Sequence, residues 1–149
     1  MNPITPRRRE ALLGILGLAL LPRAASAQMA APTQAAVARI LAGRTPEEAR
    51  ITLRLPAIAE TGNTVPMTVL VESPMTAADH IRAIHVFADK NPTPDIASMR
   101  LSPAMGRAQL DTRIRLGQTQ DIIAIAEGSD GKFYIGRAEV RVTIGGCGG

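Results

Sequence analysis

From Arg50 to Ile144 the apolar residues recur at every second position, and this period constrains the fold more than anything else in the chain. Ile51, Leu53 and Leu55 alternate with Thr52 and Arg54. Val65, Met67, Val69 and Val71 alternate with Pro66, Thr68, Leu70 and Glu72. From Arg107 to Leu116, Ala108, Leu110, Thr112, Ile114 and Leu116 face one way, and Arg107, Gln109, Asp111, Arg113 and Arg115 face the other. Ala138, Val140, Val142 and Ile144 alternate with Arg137, Glu139, Arg141 and Thr143. A period of two marks strands buried on one face. Turn signals separate them: Gly62-Asn63, the stiff Asn91-Pro92-Thr93-Pro94-Asp95, and Ser129-Asp130-Gly131, which closes a hairpin onto the last strand. About seven strands in roughly 100 residues predict an all-β, immunoglobulin-like antiparallel sandwich, with a small closed barrel as the rival.

Two strands break the alternation. Asp121 to Glu127 is apolar on both faces, with Ile122, Ala124 and Ala126 on one and Ile123 and Ile125 on the other. His80 to Ala88 places Ile84 and Val86 on one face and Ile81, Ala83 and Phe87 on the other. Such strands are covered either by their own chain, including an N-terminal helix, or by a partner subunit. That helix is predicted from Thr33 to Leu41, with Val37, Ile40 and Leu41 on one face, Thr33 as cap and Gly43 as terminator. Thr45-Pro46-Glu47-Glu48 has capping-box spacing and predicts one further turn at most.

Residues 1–27 read as a cleaved export signal rather than as part of the fold. Arg7, Arg8 and Arg9 precede the apolar run from Ala11 to Leu21, and Ala25-Ser26-Ala27 sets cleavage between Ala27 and Gln28. The run is short of the roughly 20 residues that span a bilayer. Arg8 and Arg9 point to the twin-arginine route, although Ala11 stands where that motif usually has phenylalanine, so the general secretory route stays open. The expected location is the periplasm. The signal holds four arginines and one glutamate, which leaves 13 basic and 12 acidic residues in the remainder. The high pI is therefore no argument for nucleic acid. One tyrosine and two phenylalanines offer no platform for stacked bases. The expected division is 1–27 signal, 28–144 sandwich and 145–149 a C-terminal arm.

The arm is Gly145-Gly146-Cys147-Gly148-Gly149, and Cys147 is the only cysteine. No internal disulfide can form, and an unpaired cysteine in an oxidising compartment suggests intermolecular pairing or a reactive thiol. Glycines on both sides predict a thin, flexible arm, with the sulfur about 10 Å from the last strand. Nothing nearby activates the thiol, and the terminal carboxylate holds its pKa near or above the free value of ~8.5. Such a thiol suits a carrier whose chemistry is supplied by the enzymes it visits.

Other candidates carry weaker signals. His80 and His85 are five apart, so a strand would point them to opposite faces, away from a common metal. Met67, Met75, Met99 and Met105 lack close spacing and read as core filling rather than copper ligands. Gly128 to Lys132 has phosphate-loop residues, but Ala126 occupies the place of the first glycine and a hairpin is the better context. The Arg107, Arg113 and Arg115 face is a solvated sheet surface, or a guide for an anionic substrate or docking partner.

The chain resembles the SoxY family, the sulfur-carrier subunits of the bacterial Sox thiosulfate-oxidising system. The resemblance runs through "ETGNTVPMTVLVESPMT" (residues 60–76), "IHVFADKNPTPDIA" (84–97) and "TRIRL" (112–116) to "VTIGGCGG" (142–149). It implies an immunoglobulin-like fold and a SoxZ-like partner subunit, which would account for the doubly apolar strands. It implies covalent attachment of sulfur intermediates to Cys147, with Gly145, Gly146, Gly148 and Gly149 supplying clearance. The visiting enzymes it implies are a haem c thiosulfate-coupling enzyme, a manganese hydrolase that releases sulfate, and a sulfane dehydrogenase. It implies no metal or cofactor of the carrier's own, and no membrane association after signal cleavage. Two alternatives stand beside it: an exported binding module or metallochaperone using Cys147 with methionines, and a carrier holding a thiocarboxylate on Gly149.

Overall fold

The computed structural model describes residues 28–145. The signal residues Arg8, Arg9 and Ala27, and the arm residues Gly146, Cys147, Gly148 and Gly149, lie outside them. The elements are α1 (Ala31–Leu41), β1 (Ile51–Arg54), β2 (Ile58–Thr61), β3 (Val65–Val71), β4 (Ile81–Ala88), β5 (Asp95–Arg100), β6 (Ala108–Ile114), β7 (Gln120–Gly128) and β8 (Phe133–Ile144), with one 3₁₀ turn at Pro103–Met105.

Two sheets form, in the orders β1-β3-β6 and β2-β8-β7-β4-β5. The sandwich is open, so the barrel alternative falls. Between the sheets lies the main core. It includes Val65, Val69 and Val71 from β3, Ile84 and Val86 from β4, and Ile122 and Ala124 from β7. The alternation in β3 and β6 arises because only one face of each meets this core. The hairpin forms as expected: Gly128 N–H donates to Lys132 O at 2.9 Å, and Gly131 takes a left-handed φ of 80° that favours glycine.

Four sequence expectations change. The sandwich has eight strands, and β2 pairs parallel to β8, so the larger sheet is not wholly antiparallel. Pro56 follows β1 and helps end it, and the chain then joins the other sheet beside β8. Ile81 faces the inter-sheet core with Ile84 and Val86, because a bulge between Ile81 and Ala83 shifts the phase of β4 by one residue. The helix starts at Ala31, with Ala30 as its cap and Pro32 in its first turn. Thr33 is inside it, buried, and its hydroxyl donates to Asp89 O at 3.2 Å. Glu47 starts no helical turn: its N–H donates to Phe133 O at 2.8 Å and its carbonyl accepts from Ile135 N at 2.9 Å, a one-residue bridge onto β8.

The doubly apolar strands are covered by the chain itself. Ala36 and Val37 of α1 pack on Phe87, Ile123, Ile125, Phe133 and Ile135, the outer face of the larger sheet, with Ile40 and Leu41 at the margin. Both ends of the helix are tied down. Ala30 N–H donates to Asp89 Oδ1 at 2.8 Å. Past the other end, Arg44 donates to Gly131 O at 2.9 Å and lies 4.8 Å over the Phe133 ring. No partner subunit is needed to explain this apolar face.

Candidate functional site

The last strand ends at Ile144, and the segment bearing the thiol leaves from there. On one flank β2 pairs with β8 through Ile58–Arg141, Ala59–Val142 and Thr61–Ile144, and Gly62 N–H donates to Ile144 O at 2.8 Å. On the other flank stands the turn between β6 and β7. Val142 N–H donates to the Thr119 hydroxyl at 2.9 Å. Gly62 O in turn accepts from Leu116 N–H at 2.8 Å, which closes the ring around the strand end.

That turn is itself held by a buried amide pair. Gln120 Nε2 donates to Asn91 Oδ1 at 2.8 Å, and the same oxygen accepts Gly117 N–H at 3.2 Å. Asn91 Nδ2 donates to Arg115 O at 2.9 Å, and Gln120 Oε1 accepts Lys90 N–H at 2.7 Å. Buried amides satisfied on both ends rigidify the backbone they hold.

Gly145 is the last described residue, and its lack of a side chain has a local cause. A Cβ there would overlap the carbonyl oxygen of Gly117. Gly145 thus lets the strand end lie flat on the turn, a packing role added to the clearance expected from the sequence. Gly145→Ala is expected to push the strand end off the turn at a local cost of about 1–3 kcal/mol. Amide exchange at Gly62, whose N–H is held by Ile144 O, should rise roughly tenfold or more.

The remaining sequence candidates are dispersed. His80 precedes β4, with Nδ1 3.0 Å from Thr76 O. His85 lies on the outer face with Nδ1 3.0 Å from Ser98 Oγ. Met67 and Met75 are core residues, Met99 packs at its edge, and Met105 is exposed. Among the described residues no group of three His, Cys, Asp or Glu is placed to hold a metal ion. Arg107, Arg113 and Arg115 are all exposed along β6 and its ends, and only the last two lie near the root of the arm. Thr119, Gln120 and Gly117 were not singled out from the sequence, and Asn91 was read only as part of a stiff loop. Their importance comes from contacts 23 to 29 residues apart, which no local pattern records.

His85 gives the fold a pH dependence. Burial holds its imidazole below the usual 6.5; Asp95 and Glu127 oppose this and Arg100 reinforces it. Between the folded value and 6.5 the unfolded chain binds more protons, so stability is full above 6.5 and declines as pH falls through the folded value. His85→Gln is expected to flatten that slope, read as the urea midpoint followed from about pH 7.5 to about pH 5.

The fold and its root together define an immunoglobulin-like sandwich whose last strand stops at a braced end. The chain belongs to the SoxY family: the family profile described as "Sulfur oxidation protein SoxY" matches residues 37–147. The solved sulfur carrier protein SoxY from Chlorobium limicola f thiosulfatophilum is 30% identical, with a TM-score of 0.62 over 76% of this chain and 97% of that one. The superoxide reductase (neelaredoxin) from Ignicoccus hospitalis is 17% identical, with a TM-score of 0.57 over 63% of this chain and 80% of that one. The superoxide reductase from Nanoarchaeum equitans is 12% identical, with a TM-score of 0.50 over 64% of this chain and 99% of that one. At those identities the two reductases share a fold with this chain and nothing more. No curated protein sequence matches it.

Proposed function

We propose that this protein is a periplasmic sulfur carrier that holds thiosulfate-derived intermediates on Cys147. The observation that carries the reading is that the family match extends to residue 147, the chain's only cysteine, two residues past the braced root. Export follows from the signal expected in residues 1–27.

The chemistry on the thiol balances in two steps. Thiosulfate couples to Cys147, with loss of the thiol proton and two electrons to a haem c enzyme, and an S–S bond forms. Water then cleaves the S–sulfonate bond; sulfate and a proton leave, and a persulfide remains. Oxidation and hydrolysis of that persulfide regenerate the thiol. The carrier supplies the thiol and its presentation, and the enzymes supply the catalysis. Support for a SoxZ-like partner comes from family membership.

The test is the intact mass of the protein from cells oxidising thiosulfate, before and after a thiol reductant. A reductant-removable addition equal to one sulfur atom or one thiosulfonate group, localised to Cys147, is the expected result. An unmodified thiol during turnover, in samples quenched fast enough to trap a control adduct, overturns the reading.

A further inference from the structure

α1 covers only part of the outer face of the larger sheet. Ile125 and Ile135 lie under the helix. Toward the β7–β8 hairpin the same face turns polar. Register places Ala83 between Arg100 on β5 and Glu127 on β7, and His85 between Ser98 and Ile125 in the neighbouring row. Ala83 is buried and ends in a methyl, while the side chains around it are long. They leave a cleft of about 170 Å³ above it, lined by Arg82, Ala83, His85, Arg100 and Glu127. The cleft is remote from the root of the arm. β8 passes Ile125 at Ile135 and stops only at Ile144, so the two lie about 30 Å apart along the strand.

The groups around the cleft have distinct engagements. Arg82 is held by Glu127 in a direct ion pair. Arg100 forms no ion pair among the described residues. Nδ1 of His85 lies 3.0 Å from Ser98 Oγ, so Nε2 is the ring nitrogen left for a ligand. The charged groups that face this ring are Arg82 on its own strand, Asp95 and Arg100 on β5, and Glu127 on β7. Asp95 stands outside the lining, so two guanidinium groups meet one carboxylate there and the cleft is positive. Protonation of His85 adds a further positive charge.

Volume and donors narrow the ligand. The cleft is well below the roughly 300 Å³ of a pocket for a drug-sized molecule. A guanidinium without an ion pair and an imidazole N–H on one small cavity suit an anion with several equivalent oxygens. We propose that the cleft binds a compact divalent oxyanion of the sulfate type between Arg100 and the imidazolium of His85. Burial disfavours that imidazolium and Arg100 adds to the effect; a dianion lying between the two cations opposes both. Proton and oxyanion therefore bind together, each tightening the other by the same factor. Acid conditions load the cleft and alkaline conditions empty it. The inference goes beyond the carrier reading and needs no cargo on Cys147.

The experiment follows both histidine rings of the full mature chain by NMR from about pH 8 to about pH 4.5, in sodium sulfate and in sodium chloride of equal ionic strength. His80 is the internal reference, because it lies outside the cleft with Nδ1 3.0 Å from Thr76 O. In saturating sulfate the His85 titration midpoint is expected to move up by about half a pH unit, which means about threefold tighter sulfate binding to the imidazolium than to the neutral ring. His80 should titrate alike in both salts. Arg100→Gln should abolish the difference between the salts at His85. The Arg100 side chain is exposed, and an unchanged amide spectrum away from β4, β5 and β7 confirms that the variant is folded. Equal His85 midpoints in the two salts, an equal rise at His80, or a rise that survives Arg100→Gln overturns the proposal. None of these results touches the carrier reading, which keeps its own test in cells.

Discussion

Cys147→Ser is expected to abolish thiosulfate-dependent respiration in cells that rely on this chain, while the protein folds as before. A serine hydroxyl is not ionised near neutral pH and forms no stable bond to sulfane sulfur, so no adduct can be made at that position. The residue lies two positions past Gly145, beyond the last strand, which ends at Ile144. Cysteine and serine differ in one atom, and the expected change in stability is within about 0.5 kcal/mol. Oxygen uptake on thiosulfate, read beside the urea midpoint of the purified variant, separates loss of function from loss of fold. Uptake unchanged by the substitution would place the cargo elsewhere, for instance as a thiocarboxylate on Gly149.

Ile123→Ala should produce a large loss of stability. Ile123 is fully buried between β7 and α1. Removing three carbons from such a site costs about 2–5 kcal/mol, part in transfer and part in the cavity left behind. That is a large share of the roughly 5–15 kcal/mol that holds a domain of this size together. Ile58, also an isoleucine on a strand of the same sheet, is 62% exposed, and Ile58→Ala should change stability by less than about 0.5 kcal/mol. The pair is informative because it is measured on the isolated chain. A face buried by a partner subunit would already be open there, and Ile123→Ala would then cost little. Urea unfolding of both variants decides it; a small loss at Ile123 would remove α1 as the cover of that face.

Strands with one buried face were legible because burial writes a period of two into the sequence, as β3 and β6 show. The double burial of β7 was legible too, although its cause was not. Nothing in Val37 or Ile125 says that the two meet; only the return of the helix across the sheet does. β2 escaped notice for the opposite reason. It has four residues, one of them an exposed isoleucine, and its pairing partner lies more than eighty positions away. Ile81 was assigned the wrong face because a bulge leaves no composition signal. Thr33 has the chemistry of a cap, but Pro32 suits the first turn and the Thr33 hydroxyl finds Asp89 instead. At the candidate site, the glycine-flanked cysteine could be read directly from its neighbours. The brace beneath it could not, since Gly62, Thr119 and Gly117 converge only in three dimensions.

The brace at Gly62, Thr119 and Gly117 bears on encounter statistics. A thiol on a long tether is diluted through the volume its tether sweeps. A thiol two residues from a fixed point is confined to a small one, so on the proposed carrier reading its effective concentration at an enzyme docked on this end of the sandwich would be high. The same shortness makes the domain a gauge. An active site recessed deeper than the tether can extend is closed to this cargo, however reactive its chemistry. On the proposed carrier reading, the contour of the sandwich end around Gly145 would act as a selectivity filter, favouring enzymes whose entrances are shaped to meet it.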